Sequence, residues 1–247
     1  MYTNSIYTIM AGFQGISEKM QSIASDLANA QTPGYESVQT IIQAQTYQGE
    51  HAPAGADAMA ETLGPSATPG RLDATQNPLN VAVSGNAWLQ VQSPEGTALT
   101  RNGSLDISSS GLLTNSSGYP VLDTNGMPIS LPPLSKLEIG SDGTISGILK
   151  SGGSGDAQIL GRIGLVKTPS GKMSSLGGEL YLPPAGESLV PSQNGAVHQG
   201  YLNDSNVNPT EAMMEMINGS RSYQMQSEML KSQSEESQSL NNLLAQG

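Results

Sequence analysis

Tyr2, Ile6, Ile9, Phe13, Ile16, Met20, Ile23 and Leu27 follow one another at steps of four and three residues. An apolar heptad kept up over more than three repeats lays one stripe along a helix and suits it to wrap another helix. Thr3, Asn4 or Ser5 supplies a start. Gln31-Thr32-Pro33-Gly34 supplies a stop, because Pro33 pushes Thr32 out of the helical region. At 1.5 Å per residue the predicted helix is about 39 Å long.

The other end of the chain has its own helix. In Ser205-Asn206-Val207-Asn208-Pro209-Thr210-Glu211, Asn208 suits the N-cap, Pro209 the first helical position and Glu211 the acid of a capping box. A helical pattern continues to about Ala245. Its apolar stripe begins with Met213, Met216, Ile217 and Tyr223, then thins to Leu230, Leu240 and Leu244. Ser234 and Ser237 occupy positions of the seam. So polar a helix gains little from burying one face and needs neighbours on several sides. Met213, Met214, Met216, Met225 and Met229 form an adaptable cluster, suited to packing within a subunit and between subunits alike.

Between the ends the period changes from that of a helix to two. Short alternating runs, among them Leu79–Val83, Trp88–Gln92, Thr97–Arg101, Leu105–Ile107, Thr144–Leu149, Arg162–Val166, Leu180–Leu182 and Val197–Leu202, are separated by turn signals such as Asn102-Gly103, Asn125-Gly126 and Asp142-Gly143. That spacing predicts an antiparallel β domain over 71–202. Residues 36–70 are rich in Gln, Ala, Gly and Pro and read as an extended connector. Lys150–Ala157 reads as a loop tip. The expected fold is α+β. Residues 1–35 form an N-terminal coiled-coil helix and its elbow, and residues 203–247 form a C-terminal coiled-coil helix paired with it around the central β-rich domain.

Composition narrows the function. The net charge of −11 argues against broad binding to duplex phosphates. With no cysteine there is no disulfide, thiolate–zinc site or thiol catalysis. No run of 18 apolar residues is present, so no helix is expected to span a membrane. The start MYTNSIYTIMAGFQ lacks a basic n-region and a small-residue cleavage site, so no cleaved signal peptide is expected.

Chemistry-bearing motifs are weak. His51 and His198 have no ligand spacing around them. Ser154 sits in Gly152-Gly153-Ser154-Gly155-Asp156, where a nucleophile elbow needs Gly in place of Asp156. Asp123-Thr124-Asn125-Gly126 opens like a calcium loop but lacks its later acid and reads as a turn. No catalytic residue, metal ligand or cofactor site is expected. An enzyme acting on cell wall would need such a set, and a secreted β-rich adhesin would leave the terminal heptads unexplained.

Several segments carry a resemblance. Leu27-Ala28-Asn29-Ala30-Gln31-Thr32-Pro33-Gly34-Tyr35 is similar to the "N-[IL]-A-N-x-x-T-P-G-[YF]" segment of the bacterial flagellar rod and hook proteins. Ser205-Asn206-Val207-Asn208 with Met213, Ile217, Arg221 and Tyr223 resembles their C-terminal segment. Asn77–Ala82, Trp88–Val91, Thr100–Ser104 and Gly118–Leu122 resemble the β region that they share. The likeness covers nearly the whole chain, in order. Within the family it is greatest to proximal-rod members, with distal-rod members as the alternative. Asp26, Gly219 and Gln224 depart from the family's usual residues.

The resemblance implies a non-enzymatic axial subunit of the flagellar basal-body rod. The rod lies in the periplasm, and its subunits leave the cell through the flagellar type III export apparatus. Implied partners are copies of the chain itself and other rod proteins, such as those of the FlgG and FlgC types. The assembly seam is expected at Ile6, Ile9, Phe13, Ile16, Met20, Ile23, Leu27, Met213, Met216, Ile217, Tyr223 and Leu230. Thr32, Pro33, Gly34 and Tyr35 are expected to form a fixed elbow.

Overall fold

The computed structural model describes residues 2–46, 56–66, 68–150, 156–169 and 173–245. Side chains are described for 9–41, 63–66, 68–150, 156–169, 173–235 and 238. Ile6, His51, Ser154, Leu240 and Leu244 fall outside the described side chains. The chain divides into two compact units. One holds Met1–Leu27, Val38–Leu63 and Asn208–Gly247, and the other holds Ala28–Ser37 and Gly64–Val207.

The first unit contains helix α1 (Tyr2–Ala28), strands β1 (Val38–Thr46) and β2 (Ala56–Pro65), and helix α2 (Pro209–Ala245). Strands β1 and β2 pair with each other, so the segment that reads as a connector holds a pair of strands among its described residues. Asp26 Oδ1 accepts from the backbone N–H of Val38 at 3.1 Å, and Ser22 Oγ donates to its carbonyl at 3.2 Å. These two side chains of α1 satisfy the first residue of β1, which would otherwise leave a donor and an acceptor to water.

In α1 the heptad marks the covered side. Ile23 is buried, and Ile9, Phe13, Ile16, Met20 and Leu27 are partly buried, while Met10 lies in solvent. Helix α2 is different. Ala212 is buried, and Met216, Gly219, Ser222, Gln226 and Leu230 are partly buried. Met213 and Ile217, which the sequence places in the seam, are 50% and 53% exposed.

The coiled-coil expectation is therefore corrected. The fold is α+β, but its helices are not zipped by matching apolar heptads. Gly219, Ser222 and Gln226 lack the apolar knobs that such a seam requires. Gln226 instead donates from Nε2 to the carbonyl of Ile9 at 3.0 Å. Nor do the strands make one central β domain, because β1 and β2 group with the helices and the rest divide over several sheets.

The second unit is antiparallel throughout its described ladders. Its strands are β3 (Leu72–Ala74), β4 (Val81–Ser84), β5 (Ala87–Ser93), β6 (Gly96–Thr100), β7 (Leu105–Ile107), β8 (Leu113–Asn115), β9 (Leu134–Ile139) and β10 (Thr144–Leu149). They continue with β11 (Gln158–Arg162), β12 (Leu165–Lys167), β13 (Ser174–Gly177), β14 (Leu180–Leu182), β15 (Ala196–Gln199) and β16 (Tyr201–Asn203). The largest sheet has five strands in the order β12-β5-β6-β14-β13, and a three-stranded sheet runs β11-β10-β9. Strands β15 and β4, β16 and β3, and β7 and β8 form pairs.

The core is aliphatic and built mostly of β-branched residues and Leu, as a pleated surface favours. Val83, Leu89, Val91, Leu113, Ile145 and Ile163 are among its fully buried members. The run Arg162–Val166, which reads as one strand, is broken after Arg162. Gly164 there lies so close to the carbonyl of Asp123 that a Cβ would stand 2.5 Å from its oxygen. The run Val197–Leu202 is broken at Gly200, which has φ +83°.

Candidate functional site

Helix α2 starts as its sequence suggests it can. Asn208 Oδ1 accepts from the N–H groups of Thr210 at 3.1 Å and Glu211 at 3.4 Å, and Pro209 is the first helical residue. These bonds satisfy two donors that a helix start leaves open. Downstream, Phe13 and Tyr223 meet with ring centroids 4.0 Å apart, and Lys19 and Glu215 form an exposed ion pair at 3.6 Å. Gly219 lies beside Met20, whose Cγ would be 3.0 Å from an added Cβ. That close approach accounts for a glycine inside a helix, where it costs about 1 kcal/mol relative to Ala. A shallow apolar groove opens here, lined by Ile16, Met20, Ile23 and Gly219 with the ends of Lys19 and Glu215.

The opposite face of α2 is unusual. Met213, Met214, Ile217, Met225 and Met229 are each at least half exposed. On a 3.6-residue helix they share the side that faces away from Ala212, Met216, Gly219 and Gln226. An apolar face on an otherwise polar helix marks a contact surface more than it marks a core.

The second site is the elbow. Helix α1 ends at Ala28, three residues before the stop expected from Pro33. Asn29 begins a turn, with Thr32 N–H donating to its carbonyl at 3.0 Å. Tyr35 N–H then donates to the carbonyl of Thr32 at 3.2 Å, closing a turn around Pro33 and Gly34. Gly34 has φ +69°. Pro at the second position and positive φ at the third make this a type II turn. A Cβ on Gly34 would collide with the backbone of Arg101 and Asn102, so both conformation and space require glycine.

The residues after this turn sink into the β-rich unit. Tyr35 and Glu36 are each 1% exposed. Glu36 Oε1 accepts from Arg101 Nη1 at 3.2 Å, and Oε2 accepts from Asn206 Nδ2 at 2.9 Å. The carbonyl of Glu36 accepts from the Tyr181 hydroxyl at 2.6 Å. The Arg101 guanidinium lies 5.0 Å from the centre of the Trp88 ring, within cation–π reach, and Tyr181 meets that ring edge-on at 5.4 Å. Trp88 Nε1 donates to Thr168 Oγ1 at 3.0 Å. Burial pushes the Glu36 carboxyl up to about 7, against the pull of Arg101. Burial also draws the Arg101 guanidinium down, against the pull of Glu36.

Sequence reasoning placed Thr32–Tyr35 at the elbow and missed Glu36, Arg101, Tyr181 and Asn206. The available signal was a charged residue directly after a Pro-Gly turn and a lone Arg at the end of an apolar strand. The remaining sequence candidates have local partners. His198 Nε2 is 3.1 Å from Ser84 Oγ on the β15–β4 pair. Asp123 Oδ1 accepts from the backbone N–H groups of Asn125 at 2.7 Å and Met127 at 2.9 Å. Those bonds, Met127's foremost, hold its carboxyl below the usual range and occupy it with its own turn. Among the described residues no group of three or more His, Cys, Asp or Glu is placed to hold a metal, and no helix is long and apolar enough to cross a membrane.

Residues 198–243 match the C-terminal family of flagellar basal body rod FlgEFG proteins, and residues 82–147 match the D1 domain of the flagellar hook proteins FlgE/F/G. The chain is 33% identical to the flagellar basal-body rod protein FlgF of Salmonella typhimurium, over 98% of each chain. It is 32% identical to FlgF of Escherichia coli, again over 98% of each. The flagellar basal-body rod protein FlgG of Bacillus subtilis is 29% identical over 97% of this chain and 98% of its own. On this identity over nearly its full length, the chain belongs to the flagellar basal-body rod proteins and is FlgF-like.

Proposed function

We infer that the protein is a structural subunit of the flagellar rod, not an enzyme, and that it works in the proximal part of the drive shaft. The FlgF and FlgG relatives are rod proteins by name, and identity is higher to the FlgF relatives from Salmonella typhimurium and Escherichia coli than to FlgG of Bacillus subtilis. A distal-rod subunit of FlgG type is the second reading.

The subunit joins copies of itself and other rod proteins through the faces of its two terminal helices, and passes torque along the shaft through those contacts. It reaches the periplasmic rod through the type III export apparatus. The observation that carries this reading is the exposed face of α2 formed by Met213, Met214, Ile217, Met225 and Met229. Covering such side chains yields about 1.5–3 kcal/mol each when burial is complete, which is ample to drive association.

The test is substitution of that face. Met214→Asp with Met225→Asp in flagellated cells should abolish swimming while the exported subunit accumulates in the medium. Normal swimming would remove α2 from the assembly surface.

A further inference from the structure

Helix α2 carries five of the chain's 11 methionines, and the chain has no cysteine. No thiol is present to consume an oxidant first, so the thioethers are the softest groups that one can reach. Trp88, the sole tryptophan, is buried. Exposure then sorts the thioethers among themselves. Met213, Met214, Met225 and Met229 are between 50% and 61% exposed on one side of α2. Met216 of the same helix is partly buried, and Met173 of the β-rich unit is 5% exposed. Met225 and Met229, four residues apart, are neighbours on the helix surface.

We propose that this face of α2 is a site of methionine oxidation, where a hydroperoxide converts thioethers to sulfoxides and thereby closes the face to the neighbours that would cover it. The loss of assembly rests on the joining role inferred for α2; the oxidation itself does not. At each residue the sulfur attacks one oxygen of the peroxide. The O–O bond breaks, an S–O bond forms, and after proton transfer the other oxygen leaves as water. The sulfur gives up two electrons and the peroxide takes them.

The product is polar where the thioether was apolar. In the free subunit the new oxygen stands in water and costs the fold little, because these side chains are already largely exposed. Against an apolar neighbour the same oxygen must give up its water without a donor in return, which is unfavourable. The chemistry therefore acts on the joined state and spares the separate one. It also works in one direction in time, since a face already covered is shielded from the oxidant.

Purified full-length protein, treated with hydrogen peroxide and digested at intervals, gives the order of oxidation by mass spectrometry. Sulfoxide should form first at Met214, Met225 and Met229, and equally at Met127, which is 63% exposed in the β-rich unit. Met216 should follow later, and Met173 roughly tenfold more slowly than the first group, in proportion to its exposure. In flagellated cells, Met214→Gln with Met225→Gln and Met229→Gln copies the added polarity without a charge and with a residue of similar helix propensity. That variant should be lost from purified basal bodies. Met127→Gln should be incorporated like the wild type.

Oxidation of Met173 or Met216 as fast as that of Met214, Met225 and Met229 overturns the proposal. So does a triple glutamine variant incorporated like the wild type. Met214→Asp with Met225→Asp in the same cells tells the two failures apart. If the aspartates stop assembly and the glutamines do not, the joining role of α2 stands and its control by oxidation falls. If neither stops assembly, both fall. The order of oxidation in the wild type tests the site even where a variant is not exported.

Discussion

Phe13 and Tyr223, 210 positions apart in the chain, stand with ring centroids 4.0 Å apart and planes inclined at 46°. This tilted contact ties the first helix to the last within one compact unit, next to the bond from Gln226 to the carbonyl of Ile9. An aromatic pair of this kind is worth about 0.5–1.5 kcal/mol beyond the area it buries.

Phe13→Asp should remove that contact and place a carboxylate where two helices meet. Both side chains are partly exposed, so the loss within the subunit should stay near 1–3 kcal/mol, below the 3–5 kcal/mol of a full core deletion. Cells carrying the variant should export the subunit and fail to swim. The unfolding transition of the β-rich unit, followed by Trp88 fluorescence, should not move. Normal swimming would show that this face of α1 is not used in assembly.

Gly34→Val and Thr32→Ala separate a required backbone conformation from a replaceable bond. Valine at φ +69° is strained by about 1–2 kcal/mol, and its Cβ collides with the backbone of Arg101 and Asn102. Thr32→Ala gives up one hydrogen bond of 3.2 Å to Asn29 Oδ1, worth about 1 kcal/mol. Urea unfolding should show the valine variant losing at least twice as much stability, with impaired swimming. Equal stability in the two variants would make the turn a passive loop.

These contrasts show what a single sequence holds. The heptad of α1 coincides with its covered side because an apolar stripe is the signal itself. The covered side of α2 left a fainter trace, in Met216 and Leu230, which are partly buried there. Ala212, Gly219, Ser222 and Gln226 are small or polar, and the residues that carry the apolar signal, Met213 and Ile217, stand in solvent. The tell-tale was Gly219, a poor helix former retained for its closeness to Met20. In the β region, strands such as Leu105–Ile107 and Thr144–Leu149 have the bounds that their runs predict, whereas the breaks at Gly164 and Gly200 depend on backbone approach and positive φ. The Glu36–Arg101 pair joins residues 65 apart, and neither has a local pattern that names the other.

Arg101→Met should be among the most damaging single changes in the β-rich unit. It leaves Glu36 buried without its counter-charge, at a cost of about 3–5 kcal/mol. Adding Glu36→Gln should recover part of the loss, because the double variant buries no charge at this site. Thermal unfolding of the four proteins in a double-mutant cycle measures the coupling. A double variant as unstable as the sum of the singles would mean that the two charges do not interact energetically.

Isolated subunits should be unevenly resistant to protease. Helix α2 is polar and leaves its apolar face in water, so it gains little stability alone. Limited proteolysis at micromolar concentration should remove its C-terminal half first and leave the β-rich unit, Gly64–Val207, intact. Equal protection of both would place most of the stability of α2 inside the single subunit.

The central claim is that this chain is a built-in part of the rod. Quantitative mass spectrometry of hook–basal bodies purified from motile cells tests it most directly. The account predicts that the chain is present in fixed proportion to the other rod proteins, and that deleting its gene stops both rod completion and swimming. Purified basal bodies without the chain, from cells that swim normally after its deletion, would contradict it.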